Sequence, residues 1–176
     1  MQIGIAAHSG EVSEELKERA KRFVDEVSSC KKVRLLLGGY WGLMKIVVDE
    51  ALNKGLPVVL FLPIEREEVE IPEEVIKVYT GCEFRCRSVM LVRSSDILVS
   101  LGGGVGTQIE LFMAYAMGKP VYSLYKTGLS TDNLKQAYPE YFDDRQIVKI
   151  KYFDDEIKMA NAICNENIEK RRINFG

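Results

Sequence analysis

The chain has 176 residues, 47% of them hydrophobic and 28% charged, with a net charge of −2. That is enough for one globular domain spanning residues 1–176. Acids and bases interleave, so the basic stripe expected of a nucleic-acid partner is missing, and the apolar runs fall well short of a membrane span. Met1-Gln2-Ile3-Gly4-Ile5 opens without the basic region of a signal peptide, and the expected address is cytoplasmic.

In chain order, residues 2–7 read as a strand. Leu16, Ala20, Phe23, Val24 and Val27 recur at helical spacing, which predicts an amphipathic helix over about 12–29. A strand at 33–37 leads to a helix at about 42–54. Leu56 to Pro63 is a third strand, followed by a charged surface loop over 65–74. A short strand, 75–79, ends at Thr80-Gly81, and a helix is predicted over about 83–94. A strand at 96–101 feeds an apolar helix at 108–117, then a strand at 120–124. Residues 126–145 are polar with interleaved aromatics. They read as a surface excursion with a short helix rather than a lid. Gln146 to Lys151 is a last strand, and Ile157, Ala160, Ile163, Cys164 and Ile168 mark a closing helix. Lys31-Lys32 and Arg171-Arg172 read as solvated charge pairs. The β–α alternation predicts a Rossmann-like α/β fold: a doubly wound, mostly parallel sheet with helices on both faces. The 108–117 helix is apolar nearly all round, which points to a buried subunit interface and a homodimer or higher homo-oligomer.

Cys82 and Cys86 are spaced like half a metal site, but no second Cys or His pair accompanies them. The four cysteines therefore read as free thiols, and neither a metal nor a resident cofactor is expected.

Two strand–glycine–helix junctions carry the functional signal. Without a Cβ the chain can approach an anion closely, and the free N–H groups of a first helical turn favour negative charge. Gly103-Gly104-Val105-Gly106-Thr107 forms one such junction, and Thr107 adds a hydroxyl. Gly38 and Gly39 open the other. Both would lie on the carboxyl edge of the sheet, where open α/β sheets bind ligands. Ser9, after the first strand, would face the same edge and could contact phosphate or sugar; His8 beside it is assigned no catalytic role. The spacing is neither the dinucleotide fingerprint nor a Walker A loop. Glu110 sits one helical turn beyond Gly106 and Thr107. A carboxylate beside a bound phosphate repels it, which hints at chemistry on the attached sugar.

With these motifs in view, the chain resembles the Lonely-Guy-type and lysine-decarboxylase-like Rossmann proteins. These are nucleotide binders that include cytokinin riboside monophosphate phosphoribohydrolases. Gly38 to Met44 is similar to that family's G-G-x-x-G-L-M, and Gly103 to Glu110 to its G-G-x-G-T-x-x-E. The family arginine ahead of the second motif falls on Arg87. The likeness covers roughly residues 1–125 and is closest to an uncharacterised branch, through Thr80-Gly81 and Arg87-Ser88. Three departures stand out. Gly102 replaces a proline, Ser88 replaces an asparagine, and Phe84-Arg85-Cys86-Arg87-Ser88 lacks the histidine of the usual lead-in.

The resemblance implies catalytic roles for Arg87 and Glu110, a dimer, and a purine nucleoside monophosphate as ligand. The implied activity is that of a nucleoside 5′-monophosphate phosphoribohydrolase, releasing base and ribose 5-phosphate. There Glu110 would stabilise an oxocarbenium-like sugar while Arg87 grips phosphate or ribose oxygens. The alternative is a non-catalytic carrier or sensor of a nucleotide or nucleotide-like cofactor of the molybdenum-cofactor type. Lysine decarboxylation is rejected, because nothing marks a pyridoxal phosphate lysine.

Overall fold

The computed structural model describes residues 1–168; the Arg171–Arg172 pair lies outside them. Seven strands form one sheet in which every pairing is parallel: β1 (Gln2–Ala6), β2 (Arg34–Leu37), β3 (Val58–Leu62), β4 (Ile76–Tyr79), β5 (Ile97–Ser100), β6 (Val121–Leu124) and β7 (Ile150–Phe153). The expected sheet is thus present and wholly parallel. The helices are α1 (Glu14–Ser28), α2 (Gly42–Asn53), α3 (Phe84–Ser94), α4 (Val105–Ala116), α5 (Asn133–Ala137) and α6 (Glu156–Cys164). The last strand starts four residues later and ends two residues later than the apolar alternation places it, and Gln146 instead turns the chain with a φ of 50°. The closing helix ends at Cys164, short of Ile168.

The strand order is β4-β3-β2-β1-β5-β6-β7. The chain winds outward from β1 to β4, returns through α3, and winds the other way from β5. This reversal leaves β1 and β5 as neighbours whose following segments diverge to opposite faces, and a crevice opens at their carboxyl ends. Successive strand residues face opposite sides of the sheet. Ile3, Ile5, Leu35, Leu37, Ile97 and Val99 pack against α1, α2 and α6. Leu98 and Val121 pack on the other face with Leu111, Ala114 and Tyr115 of α4. Both faces are therefore dry, which is why the strands read as continuous apolar runs.

The α1–α6 contact is fastened by groups that the periodicity of α1 does not reveal. Arg19 is buried and donates to Glu156 at 3.0 Å and to the carbonyls of Lys126 at 2.7 Å and Asp154 at 2.9 Å. Arg22 reaches the other oxygen of Glu156 at 2.6 Å. Each fixed polar group is answered by another, so the pair can be buried without an orphaned charge.

The free-thiol reading is corrected. Cys30 at the end of α1 is disulfide-bonded to Cys164 at the end of α6, and Cys82 to Cys86 across the start of α3. Disulfides are rare in reducing compartments, proteins of hyperthermophiles excepted. The cysteines therefore lend nothing to a cytoplasmic address. No helix among the described residues is long and apolar enough to cross a membrane.

Candidate nucleotide site at the switch point

A cavity of about 460 Å³ occupies the crevice at the carboxyl ends of β1, β2 and β5. This is the size range of small-molecule sites, roughly 300–1,000 Å³. Ser9 after β1, Gly38 after β2, Gly104 to Thr107 at the start of α4, and Arg87 and Glu110 all line it. Two candidates do not. Gly39 lies beneath the Trp41 ring, and Gly103 is turned into the wall behind the cavity. A hollow of about 1,010 Å³ lies at the opposite edge of the sheet, around Ser95, Gly118 and Gln146. It gathers helix C-termini, and Lys119 already donates to the Arg93 and Ser95 carbonyls there. We place the candidate site at the smaller cavity, where helix N-termini point inward.

The longer helices divide by how they begin. Ser13 caps α1, Glu83 caps α3 and Asp155 caps α6 with their own side chains. The two helices that start at the crevice, α2 at Trp41 and α4 at Gly104, have no side-chain cap. The first turn of α2 is partly answered, since Leu43 N–H donates to the His8 carbonyl at 2.9 Å. The start of α4 therefore offers the clearer set of orphan donors.

Residues 126–145 form a surface excursion with a short helix, α5, as the sequence suggests, and they also hold that start in place. The Thr131 hydroxyl accepts from Gly103 N–H at 3.0 Å, and Thr131 N–H and the Ser130 hydroxyl both donate to the Gly103 carbonyl at 3.1 Å. The Asp132 carboxylate gathers the N–H groups of Thr127 and Gly128 and the Thr127 hydroxyl. Leu134 and Phe142 anchor the segment in the core on the α4 side, and Phe142 packs at a tilt against Phe112. Gly102 stands where the resembling enzymes have proline, and its φ of 102° is one that a proline ring cannot adopt. The loss of the proline thus accompanies a different turn, buttressed from the side by Thr127.

Arg87 and Glu110 reach the cavity from adjacent helices, α3 and α4. Arg87 is only 6% exposed, and its Nε has no hydrogen-bond partner. No carboxylate among the described residues comes within 4.0 Å of the guanidinium. Burial depresses its pKa, and the field of Glu110 only partly restores it. Arg87 Nη1 points at Gly38: a Cβ there would fall 1.2 Å from Nη1. Gly38 is therefore the floor on which Arg87 rests.

Glu110 is 7% exposed. Burial raises its pKa, against the opposing pull of Arg87 and of the Ser88 hydrogen bond. The Ser88 hydroxyl lies 2.8 Å from Glu110 Oε1 and 3.1 Å from the Phe84 carbonyl. A hydroxyl has one proton to give. Both contacts are satisfied together when Glu110 carries its own proton, donates to Ser88, and Ser88 donates onward to Phe84. The residue that replaces the branch asparagine is thus the direct partner of the candidate acid.

Sequence reading missed one wall of the cavity. Trp41, Arg66, Phe84 and Arg85 line it from three separate elements. Trp41 belongs to a recognised motif, and Phe84 and Arg85 to the altered lead-in, but neither motif says that they line the site, and nothing local marks Arg66. Three arginines face a single carboxyl across the cavity, so the site has cationic character. Among the described residues, no cluster of three or more His, Cys, Asp or Glu could hold a metal.

The fold is shared with known proteins. An uncharacterised protein of Archaeoglobus fulgidus is 38% identical over 124 residues, covering 70% of this chain and 80% of that one. The X-ray structure of TM1055, a structural-genomics target, superposes with a TM-score of 0.81 at 32% identity over 92% of this chain and 96% of its own. The molybdenum cofactor carrier protein of Chlamydomonas reinhardtii matches with a TM-score of 0.73 at 24% identity, covering 92% and 94% of the two chains. The profile of the SLOG cluster4 family spans residues 1–156, from β1 to the first turn of α6 and so across every element that builds the cavity, and the chain belongs to that family, an uncharacterised branch of the Rossmann-like superfamily that its motifs resemble.

Proposed function

We propose that this chain binds a nucleotide or nucleotide-like phosphate monoester, with the phosphate at the start of α4 and against Arg87. One observation carries the reading: a buried arginine with an unpartnered Nε faces an uncapped helix N-terminus across a small-molecule cavity. An unpaired buried cation is costly, and an anion supplied by a ligand removes that cost. The name of the Chlamydomonas relative, a molybdenum cofactor carrier, is in keeping with the carrier form of this reading. The expectation of no nucleic-acid partner enters here as part of the same proposal.

A second reading adds chemistry. A carboxyl whose pKa burial raises, as it does for Glu110, is suited to protonate a departing base during N-glycosidic cleavage. Water activation would then fall to another group, since Glu110 is the only carboxyl among the described residues that line the cavity. The test is to titrate the pure protein with nucleoside 5′-monophosphates and ribose 5-phosphate by calorimetry, then to assay the mixtures for free base by chromatography. Binding without base release leaves the carrier or sensor reading. Release of base with ribose 5-phosphate supports the hydrolase. No binding of any phosphate monoester sinks both.

We also propose a homodimer. Leu111, Ala114 and Tyr115 of α4 are buried on the sheet, and Phe112 is partly covered by Tyr138 and Phe142. Ile109 and Met113 of α4 are left half-buried, while Val89 and Met90 of the neighbouring α3 are 44% and 37% exposed. A second copy covering this strip would complete the burial. Light scattering at micromolar concentration should give twice the chain mass, and Val89→Asp should return it to one. A monomer mass for the unaltered protein would overturn this.

A further inference from the structure

We infer that Trp41 is a stacking platform for a planar heterocycle in the ligand, with Arg66 as the group that covers the heterocycle's outer face. The inference rests on the phosphate-binding reading above and extends it to the other end of the ligand. Trp41 precedes α2 in extended conformation, with φ −155° and ψ 164°. Its ring lies directly over the Gly39 backbone: a Cβ at 39 would fall 2.1 Å from the indole. Glycine at 39 is thus what lets the ring lie flat. Phe84 meets the ring edge-on, with centroids 6.4 Å apart and planes at 89°. The indole is therefore held from one side and along one edge. It is nonetheless half-exposed and lines the cavity that also contains Arg87 and the start of α4.

Arg66 is exposed on the short 3-10 turn Ile64–Arg66 after β3, with its guanidinium carbon 5.7 Å from the centroid of the Trp41 ring. Two successive stacking gaps need about 7 Å in all. The exposed arginine therefore has to swing outward by only about 1 Å to sandwich a flat ring. Arginine suits that place because its planar cation stacks on π-faces. Indole, phenyl edge and guanidinium offer faces and positive charge but few fixed acceptors. Such a wall selects for a planar, electron-rich ring more than for a particular pattern of hydrogen bonds. Stacking of this kind is worth roughly 10- to 100-fold in affinity per base.

The chain contains a single tryptophan, so its fluorescence reports on this wall alone. The probes are ribose 5-phosphate, which lacks a heterocycle, and the 5′-monophosphates of adenosine, guanosine, cytidine and uridine. We expect the purine nucleotides to quench the fluorescence and to bind roughly 10- to 100-fold more tightly than ribose 5-phosphate in calorimetry. Ribose 5-phosphate should bind without quenching. Trp41→Leu should remove the purine advantage and leave ribose 5-phosphate affinity unchanged, and Trp41→Phe should retain part of it. Arg66→Ala, at an exposed position with no structural task, should lower purine affinity alone. Three results would overturn the inference: purine nucleotides that bind no more tightly than ribose 5-phosphate, binding that leaves the fluorescence unmoved, or a Trp41→Leu loss shared equally by ribose 5-phosphate. If neither ribose 5-phosphate nor any nucleotide binds, the phosphate reading fails first and takes this one with it.

Discussion

Gly38→Ala is expected to abolish most phosphate affinity while leaving the fold intact. The added methyl would occupy the place of Arg87 Nη1. The backbone at Gly38 needs no left-handed conformation, since it is absent from the residues with positive φ. What yields is the far end of a flexible side chain, and the guanidinium moves off the floor of the cavity. Arg87→Ala removes the same group outright. A charge-assisted hydrogen bond to a ligand is worth roughly 1.5–3 kcal/mol, so both variants should lose about 10- to 100-fold in affinity for ribose 5-phosphate. The two losses should not add in the double variant, because both remove one interaction. Arg87→Lys should recover little, since a point charge on a thinner stem cannot span the floor as the planar fork does. Calorimetry with ribose 5-phosphate and thermal melts of the same samples check this together. A Gly38→Ala protein that binds as well as the unaltered chain would mean that Arg87 does not hold the anion.

Gly38 shows what the sequence conveys and what it hides. The strand–glycine–helix pattern at 34–53 is visible because apolar run, glycine and helical periodicity are all local. What the glycine makes room for is an arginine 49 residues later, and no local pattern contains it. The same holds across the molecule. The α/β alternation and the glycine turn at 102–106 are legible, because each strand buried on both faces must be apolar throughout. The pairing of Cys30 with Cys164, the clasp of Thr131 on Gly103 and the approach of Arg66 to Trp41 join distant segments, and they depend on the strand order. Arg19 is the plainest case. The apolar periodicity of α1 says nothing about it, and the structure buries it under α6 against Glu156. Residues 126–145 are the surface excursion with a short helix that the sequence suggests, but their hold on the glycine turn is hidden for a related reason. Their polar side chains are spent on one another and on the glycine turn, so a polar composition accompanied a fixed structure.

Glu110→Gln is expected to separate binding from any chemistry, and its signature lies in the pH dependence. Burial holds the Glu110 pKa above the ordinary carboxylate value in the folded chain. The folded protein therefore binds this proton more tightly than the unfolded one. The sign follows from linkage. The stability that Glu110 contributes is fully present below its unfolded pKa and is lost as pH rises through the raised folded pKa. Glutamine keeps the shape and can donate its amide N–H to Ser88, but it never ionises. The variant should thus melt with the unaltered protein at pH 4. At pH 8 it should melt a few degrees higher, at roughly 2–4 °C per kcal/mol for a chain of this size. Affinity should follow the same course. A phosphate near an ionised Glu110 is repelled, so the affinity of the unaltered protein relative to the variant should fall as pH rises through that pKa. Taking the ratio cancels the ligand's own titration. If the protein cleaves nucleotides, the variant should lose about 10²- to 10⁴-fold in rate at unchanged or slightly improved affinity, because an amide has no proton to give the departing base. A ratio that stays flat from pH 4 to pH 8, with melting temperatures that also run parallel, would show that Glu110 keeps one ionisation state throughout. If the variant then also binds phosphate more tightly across that whole range, the fixed state is the carboxylate and the proton on Ser88 points towards it.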